Sequence, residues 1–123
     1  MATPASVASF VYILTLAPSM IPTTFAKFYP YYLNEHRRFG TRVLHFVGTS
    51  LFIGLALTAL ITQHWRLLLG GVVAAYGCAW VGHFFVEHNR PATFQRPLLS
   101  LLGDFRLFWD LLRGKEKFSG PAV

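Results

Sequence analysis

The chain has 123 residues, of which 54% are hydrophobic and 13% charged, and a net charge of +6. This is enough for one domain, but too few charges to coat a small soluble one, where about a quarter of the residues are charged. The Lys and Arg residues sit just outside apolar runs rather than along a polar face, which argues against nucleic acid as a partner, and the single cysteine, Cys78, excludes an intrachain disulfide and a cysteine metal cluster.

The first stretch, Ser6 to Thr24, is apolar but interrupted by Pro18 and Pro22, which a helix interior resists. No basic residue precedes its apolar part, so it makes a poor signal peptide. Residues 1–24 are therefore read as an apolar extension: a third span, a surface helix or a loosely held segment. Next comes the aromatic run FAKFYPYYLNEH, from Phe25 to His36. Tyr29, Tyr31 and Tyr32 suit the headgroup zone of a membrane, and Pro30 divides the run into a short lead and a helix start.

Two uncharged apolar runs follow, Val43 to Ile61 and Leu67 to Val86. Each reaches the roughly 20 residues that a helix needs to cross a bilayer core. The break between them, Thr62 to Arg66, is so short that the two helices must be antiparallel neighbours. Arg37, Arg38 and Arg42 precede the first run and Arg90 and Arg96 follow the second, while the turn holds only Arg66. The positive-inside rule then puts both ends of the hairpin in the cytoplasm, in a bacterial inner membrane or the endoplasmic reticulum. Gly48, Gly54, Gly70, Gly71, Gly77 and Gly82 would let the helices approach closely.

Asn89-Arg90-Pro91 ends the second run, and Pro97 stands where a helix can begin. Beyond it Leu98, Leu101, Leu102, Phe105, Phe108 and Leu112 recur at three- and four-residue steps, opposite Ser100, Gly103, Arg106, Asp110 and Arg113. That pattern predicts an amphipathic helix, lying in the interface or packed on the hairpin ends. The whole is expected to be an all-α membrane bundle over residues 25–113, with 114–123 as a loose tail.

The histidines carry the chemistry. His45 and His83 each stand 19 residues from His64 in the turn, so an antiparallel hairpin puts them at one depth. Ionisable groups at membrane depth are costly and mark function or pairing. Glu87, four residues after His83, shares its face on an α-helix. His45, His83 and Glu87 thus make a two-histidine, one-carboxylate set, which suits Fe(II) and oxygen chemistry; zinc accepts the same donors, and hydrogen-bonded packing histidines remain an alternative. A bis-histidine haem site is disfavoured, since no haem-attachment motif is present. His36 is nine residues from His45, half a turn out of phase on a continuous helix, so both reach one ion only if the chain breaks between them, with Phe39-Gly40 the obvious place. His64 lies at the opposite membrane face, and His88 lies off the shared helix face.

The blocks YYLNEH (31–36), RVLHFVGT (42–49), WVGHFFVEHNRPATF (80–94) and PLLSLLGDFRLF (97–108) resemble the 2-hydroxy fatty acid dioxygenase family, long catalogued as a domain of unknown function. One fungal member acts in phytosphingosine breakdown at the endoplasmic reticulum. The resemblance covers about Phe25 to Trp109. It implies that His36, His45 and His83 are the family's histidines, with Glu87 as a neighbouring acid, and that Asn89, Arg90 and Pro91 belong to its signature. It further implies Fe(II), O2 and a long-chain 2-hydroxy fatty acid whose tail lies among membrane lipid. Arg42, Asn89 and Arg90 are the candidates for the substrate, with Arg90, as the first choice for its carboxylate, and Glu87 the candidate catalytic groups. Relatives tend to carry Asn where this chain has Thr41, which puts one polar contact near the second histidine in doubt. The alternative is a non-enzymatic membrane protein that binds metal or lipid. In either case a second chain of a homo-oligomer can complete a site that one hairpin leaves open.

Overall fold

The computed structural model describes residues 21–120, so the question of whether residues 6–24 form a third span lies, for all but its last four residues, outside the described residues. The order is α1 (Phe25–Glu35), α2 (Phe39–Thr62), α3 (Arg66–Val81), a π-helical turn (Gly82–Glu87), a 3₁₀ turn (Ala92–Phe94) and α4 (Pro97–Leu112), with no strand among the described residues. The all-α expectation therefore holds.

Helices α2 and α3 form the hairpin. Gln63 closes α2 in the left-handed conformation, and α3 starts three residues later, so the turn is as short as the sequence implies. Phe39–Thr62 and Arg66–Glu87 are both long and apolar enough to cross a membrane. Only 22% and 17% of their most apolar stretches is buried, whereas the core helix of a soluble protein is mostly buried.

Only half of the six glycines mediate close approach. A Cβ on Gly48 would press on Cys78 and Ala75, one on Gly71 on Phe52, and one on Gly82 on Thr41. Gly54, Gly70 and Gly77 face open space.

Three local expectations change. Helix α1 runs through Pro30 without a break. The lost hydrogen bond and ring clash of an interior proline cost about 3 kcal/mol, and full burial of Phe28 and Tyr32 on the same helix offsets this. Tyr32 does not belong to a headgroup belt, because it is wholly buried, and Tyr29 is half-buried with its hydroxyl donating to Asp110 at 2.8 Å. Finally, the chain breaks at His36–Arg38 rather than at Phe39-Gly40, because His36 already leaves helical geometry (φ −127°, ψ 61°).

Helix α4 begins at Pro97, whose missing N–H is no loss at a helix start. Its inner face is the one with the small and polar side chains, Ser100, Gly103 and Asp110, together with Leu107 and Leu111. Tyr32 fits over Gly103 so tightly that a Cβ there would stand 2.8 Å from the ring. Leu98, Leu102, Trp109 and Leu112 point outward and stay exposed. Of the two expected placements, packing on the bundle is realised: one face is buried and much of the apolar stripe stays uncovered.

Residues 115–120, expected to be loose, are tied to the bundle. Phe118 packs edge-on against Phe46, and Arg42 donates from Nη1 to Glu116 at 2.9 Å and to the Lys117 carbonyl at 2.8 Å. Gly120 approaches the Arg37 carbonyl with φ +100°, where a side chain would collide. A buried guanidinium must find acceptors, and the tail supplies them.

Candidate metal centre

His36 comes from the end of α1, His45 from the second turn of α2 and His83 from the π turn. All three are buried, and one ring nitrogen from each lies within 4.8 Å of the others. Ring centroids are separated by 4.3 Å (His36–His45), 4.4 Å (His36–His83) and 5.1 Å (His45–His83). The equal-depth argument from the hairpin and the need for a break after α1 both find their counterpart here.

The second nitrogen of each ring decides what the cluster can do. His36 Nδ1 donates to the Tyr32 carbonyl at 2.6 Å, and His45 Nδ1 to the Thr41 carbonyl at 3.0 Å. His83 Nδ1 donates to Asn89 Oδ1 at 2.7 Å. The Asn89 amide is itself oriented, since its Nδ2 donates to the Glu35 carbonyl and to Glu35 Oε2. With every Nδ1 proton committed to an oxygen, each Nε2 is left as a lone pair. His36 Nε2 and His45 Nε2 are 3.0 Å apart, with no proton to share between them. Two lone pairs repel at that distance unless a cation stands beside them. For imidazole–metal bonds of about 2.1 Å, two donors at right angles stand about 3 Å apart. The donor set fits a first-row divalent metal held by three neutral imidazoles.

The surroundings favour that state. Burial, and then the neighbouring His45 and His83, push the His36 pKa well below its usual value and keep the ring neutral. The Tyr32 ring stacks on His36 with centroids 3.9 Å apart, and its hydroxyl donates to Asp104 Oδ1. Burial and then the Asp104 charge raise the Tyr32 pKa well above normal, so it remains a donor.

Glu87 is not brought to the histidines. The four-residue step that aligns it with His83 on an α-helix fails because Gly82–Glu87 is π-helical, where each closing bond spans one residue more. Glu87 instead accepts from the backbone N–H of Arg38, which caps α2. His88 closes the turn at φ +60°, exposed and away from the cluster.

The candidates for the substrate also find other partners. Arg42 is wholly buried, and besides the tail it donates from Nε to the His36 carbonyl at 2.7 Å. Asn89 holds His83, as above. Arg90 is exposed, with its guanidinium 5.9 Å from the centre of the Phe94 ring. At Thr41 the doubtful contact is apolar: its methyl group is what a Cβ on Gly82 would meet, and its hydroxyl has no hydrogen-bond partner.

Asp104 is the residue that sequence reasoning missed. Its Oδ1 lies 3.9 Å from His45 Nε2, and it shares with His45 the wall of a cavity of about 290 Å³. Burial pushes its pKa up to about 7. A signal was present: Asp104 stands between Leu101 and Phe108 on the apolar stripe of α4, where an acid is costly without a role.

The fold and site therefore define a small helical protein with two apolar, membrane-length helices and a buried tri-histidine centre. The family described as 2-hydroxy-palmitic acid dioxygenase Mpo1-like matches residues 22–116, and the chain belongs to it. No curated protein and no solved structure matches the chain.

Proposed function

We propose that the protein is an Fe(II)-dependent dioxygenase that shortens long-chain 2-hydroxy fatty acids by one carbon. The convergence of three bare Nε2 lone pairs carries this reading, and the name of the family supplies the substrate class. A 2-hydroxy acid and O2 give the acid one carbon shorter, CO2 and water; the four electrons released by the substrate are those that O2 takes up. No organic co-substrate is required, and the sequence has no glycine-rich dinucleotide fingerprint.

His36, His45 and His83 would hold the metal, which when bound supplies the redox chemistry with O2. With three protein donors, positions remain for substrate and oxygen, an arrangement that suits iron more than a closed zinc site. The protein's own part is to fix the three imidazoles in one tautomer, keep water out with the Tyr32 ring, and present Asp104 to the substrate. Asp104 accepts the hydrogen bond of the substrate's 2-hydroxyl group. The exposed leucine stripe of α4 and the flanks of the hairpin meet lipid, with the histidine end on the cytoplasmic side.

The test is elemental analysis of anaerobically purified protein, with O2 uptake on addition of 2-hydroxypalmitate. Wild type is expected to carry iron and consume oxygen, and His83→Ala to lose both. Iron and turnover unchanged in His83→Ala would overturn the assignment. A metal-loaded wild type that consumes no oxygen would leave a metal-binding scaffold instead.

A further inference from the structure

The cavity beside His45 has a shape that the metal centre alone does not explain. It lies among α2, α3 and α4, and its walls are Phe52, Val72, Ala75, Ala79, Leu101 and Phe105. Polar lining comes from His45 and Asp104 at the metal level, Thr49 one turn along and Tyr76. On α2 the lining runs from His45 to Phe52, and on α3 from Ala79 to Val72. Seven residues on each helix make a length of about 10 Å along the hairpin axis. The space is thus a narrow apolar channel with a polar head at the metal centre. Its volume is at the small end of the roughly 300–1,000 Å³ typical of ligand sites.

Small side chains create it. Ala75 and Ala79 occupy successive turns of α3 where a larger residue would fill the channel. Gly48 meanwhile holds the α2 and α3 backbones together directly beside it, a Cβ there standing 3.2 Å from the Ala75 backbone. The helices are therefore in contact at Gly48 yet leave a gap on the α4 side, so the gap is not loose packing of the whole hairpin. An apolar channel opening from a polar head matches an amphiphile whose first carbons carry oxygen and whose remaining carbons carry none.

We infer that this channel holds the first part of the substrate's alkyl chain, with Ala75 as the residue that admits it, and that the rest of the chain leaves along the apolar flank of the hairpin. This rests on the dioxygenase reading for the identity of the head group, but the channel is testable without turnover. The probe is palmitate bearing a mid-chain diazirine, irradiated with metal-loaded protein in phosphatidylcholine vesicles and mapped by mass spectrometry. Label is expected on Phe52, Leu101 or Phe105, displaced by excess 2-hydroxypalmitate. Ala75→Phe should cut that labelling at least about tenfold while metal content stays at the wild-type level. In the same variant, turnover of 2-hydroxypalmitate should fall and that of 2-hydroxybutyrate should persist.

Phe105→Ala, which widens the channel, serves as the second variant if Ala75→Phe does not fold; it should keep the label within the channel, shifted toward Leu101. Label confined to Leu57, Leu60 and Leu69 on the outer flank, or labelling indifferent to Ala75→Phe, would overturn the inference. Channel labelling in a protein that consumes no oxygen would remove the dioxygenase reading and leave the channel standing. Oxygen consumption with label on the flank alone would do the reverse.

Discussion

The two ends of the hairpin are built by different rules. At the histidine end, buried polar side chains are crowded together and most are paired: three imidazoles, Arg42 and Asn89 are tied to α1, to the π turn and to the tail through hydrogen bonds between distant parts of the chain, while the Thr41 hydroxyl is left without a partner. At the turn end, among the described residues, Ile61 is 80% exposed, and Gly54, Gly70 and Gly77 face open space. Polar groups out of water must be matched one by one, so the first region is specified residue by residue. An apolar surface facing lipid has no such demand, and the second region needs only length, hydropathy and helix propensity. The buried histidine cluster lies at the end where positions are determined.

The sharpest break between the regions comes from His36→Ala. It removes one of three donors and leaves His45 and His83 too few to retain a metal, so metal content should fall to background while the helical circular dichroism of the hairpin persists. Retention of metal would mean that His36 is a packing residue. Asp104→Asn comes next. It keeps the shape of the cavity wall but weakens the acceptor beside His45, and kcat should fall by about 100-fold or more with metal content unchanged. Equal activity would remove Asp104 from the substrate's surroundings.

Asn89→Ala is milder, because it spares the ligands and removes only the acceptor of the His83 Nδ1 proton. The ring can then adopt the other tautomer and turn, and metal affinity should weaken by about 10- to 100-fold, read by competition with a chelator. An unchanged affinity would show that the π turn alone orients His83. The expected outcome would make Asn89 a positioning residue, where the family resemblance implied contact with substrate.

The division between the ends also explains what could be read from the sequence. The two long apolar helices, the tight turn and the pairing of His45 with His83 follow from hydropathy and from symmetric spacing, and both hold although the distal half is largely exposed. Glu87 was misplaced because its spacing was converted to an angle with α-helical geometry, and no residue type announces a π turn. The tail looked loose because its anchor, Arg42, lies more than 70 residues away and reads locally as a topology-setting charge. Asp104 was legible in principle, as an acid on an apolar stripe, but its partner Tyr32 sits on another helix and is reached only because Gly103 lacks a side chain.

The smallest effects are expected at the turn end, and they matter as much as the large ones. His64→Ala should leave metal content and turnover intact, since His64 is exposed at the far end of the hairpin from the cluster. Gly77→Ala adds a methyl group where no atom lies within 4 Å and removes a helix-weakening residue, so it should stabilise by about 0.5–1 kcal/mol at most and leave metal content unchanged. The measurement is a thermal melt in detergent with metal analysis of the same sample. Gly77 stands between Tyr76 and Cys78, one of which lines the channel while the other packs on Gly48, so it probes whether the open face of α3 is independent of the packed one. Loss of metal in Gly77→Ala would mean that the open apolar surface communicates with the histidines through the helix backbone, and the two ends would then have to be treated as one unit.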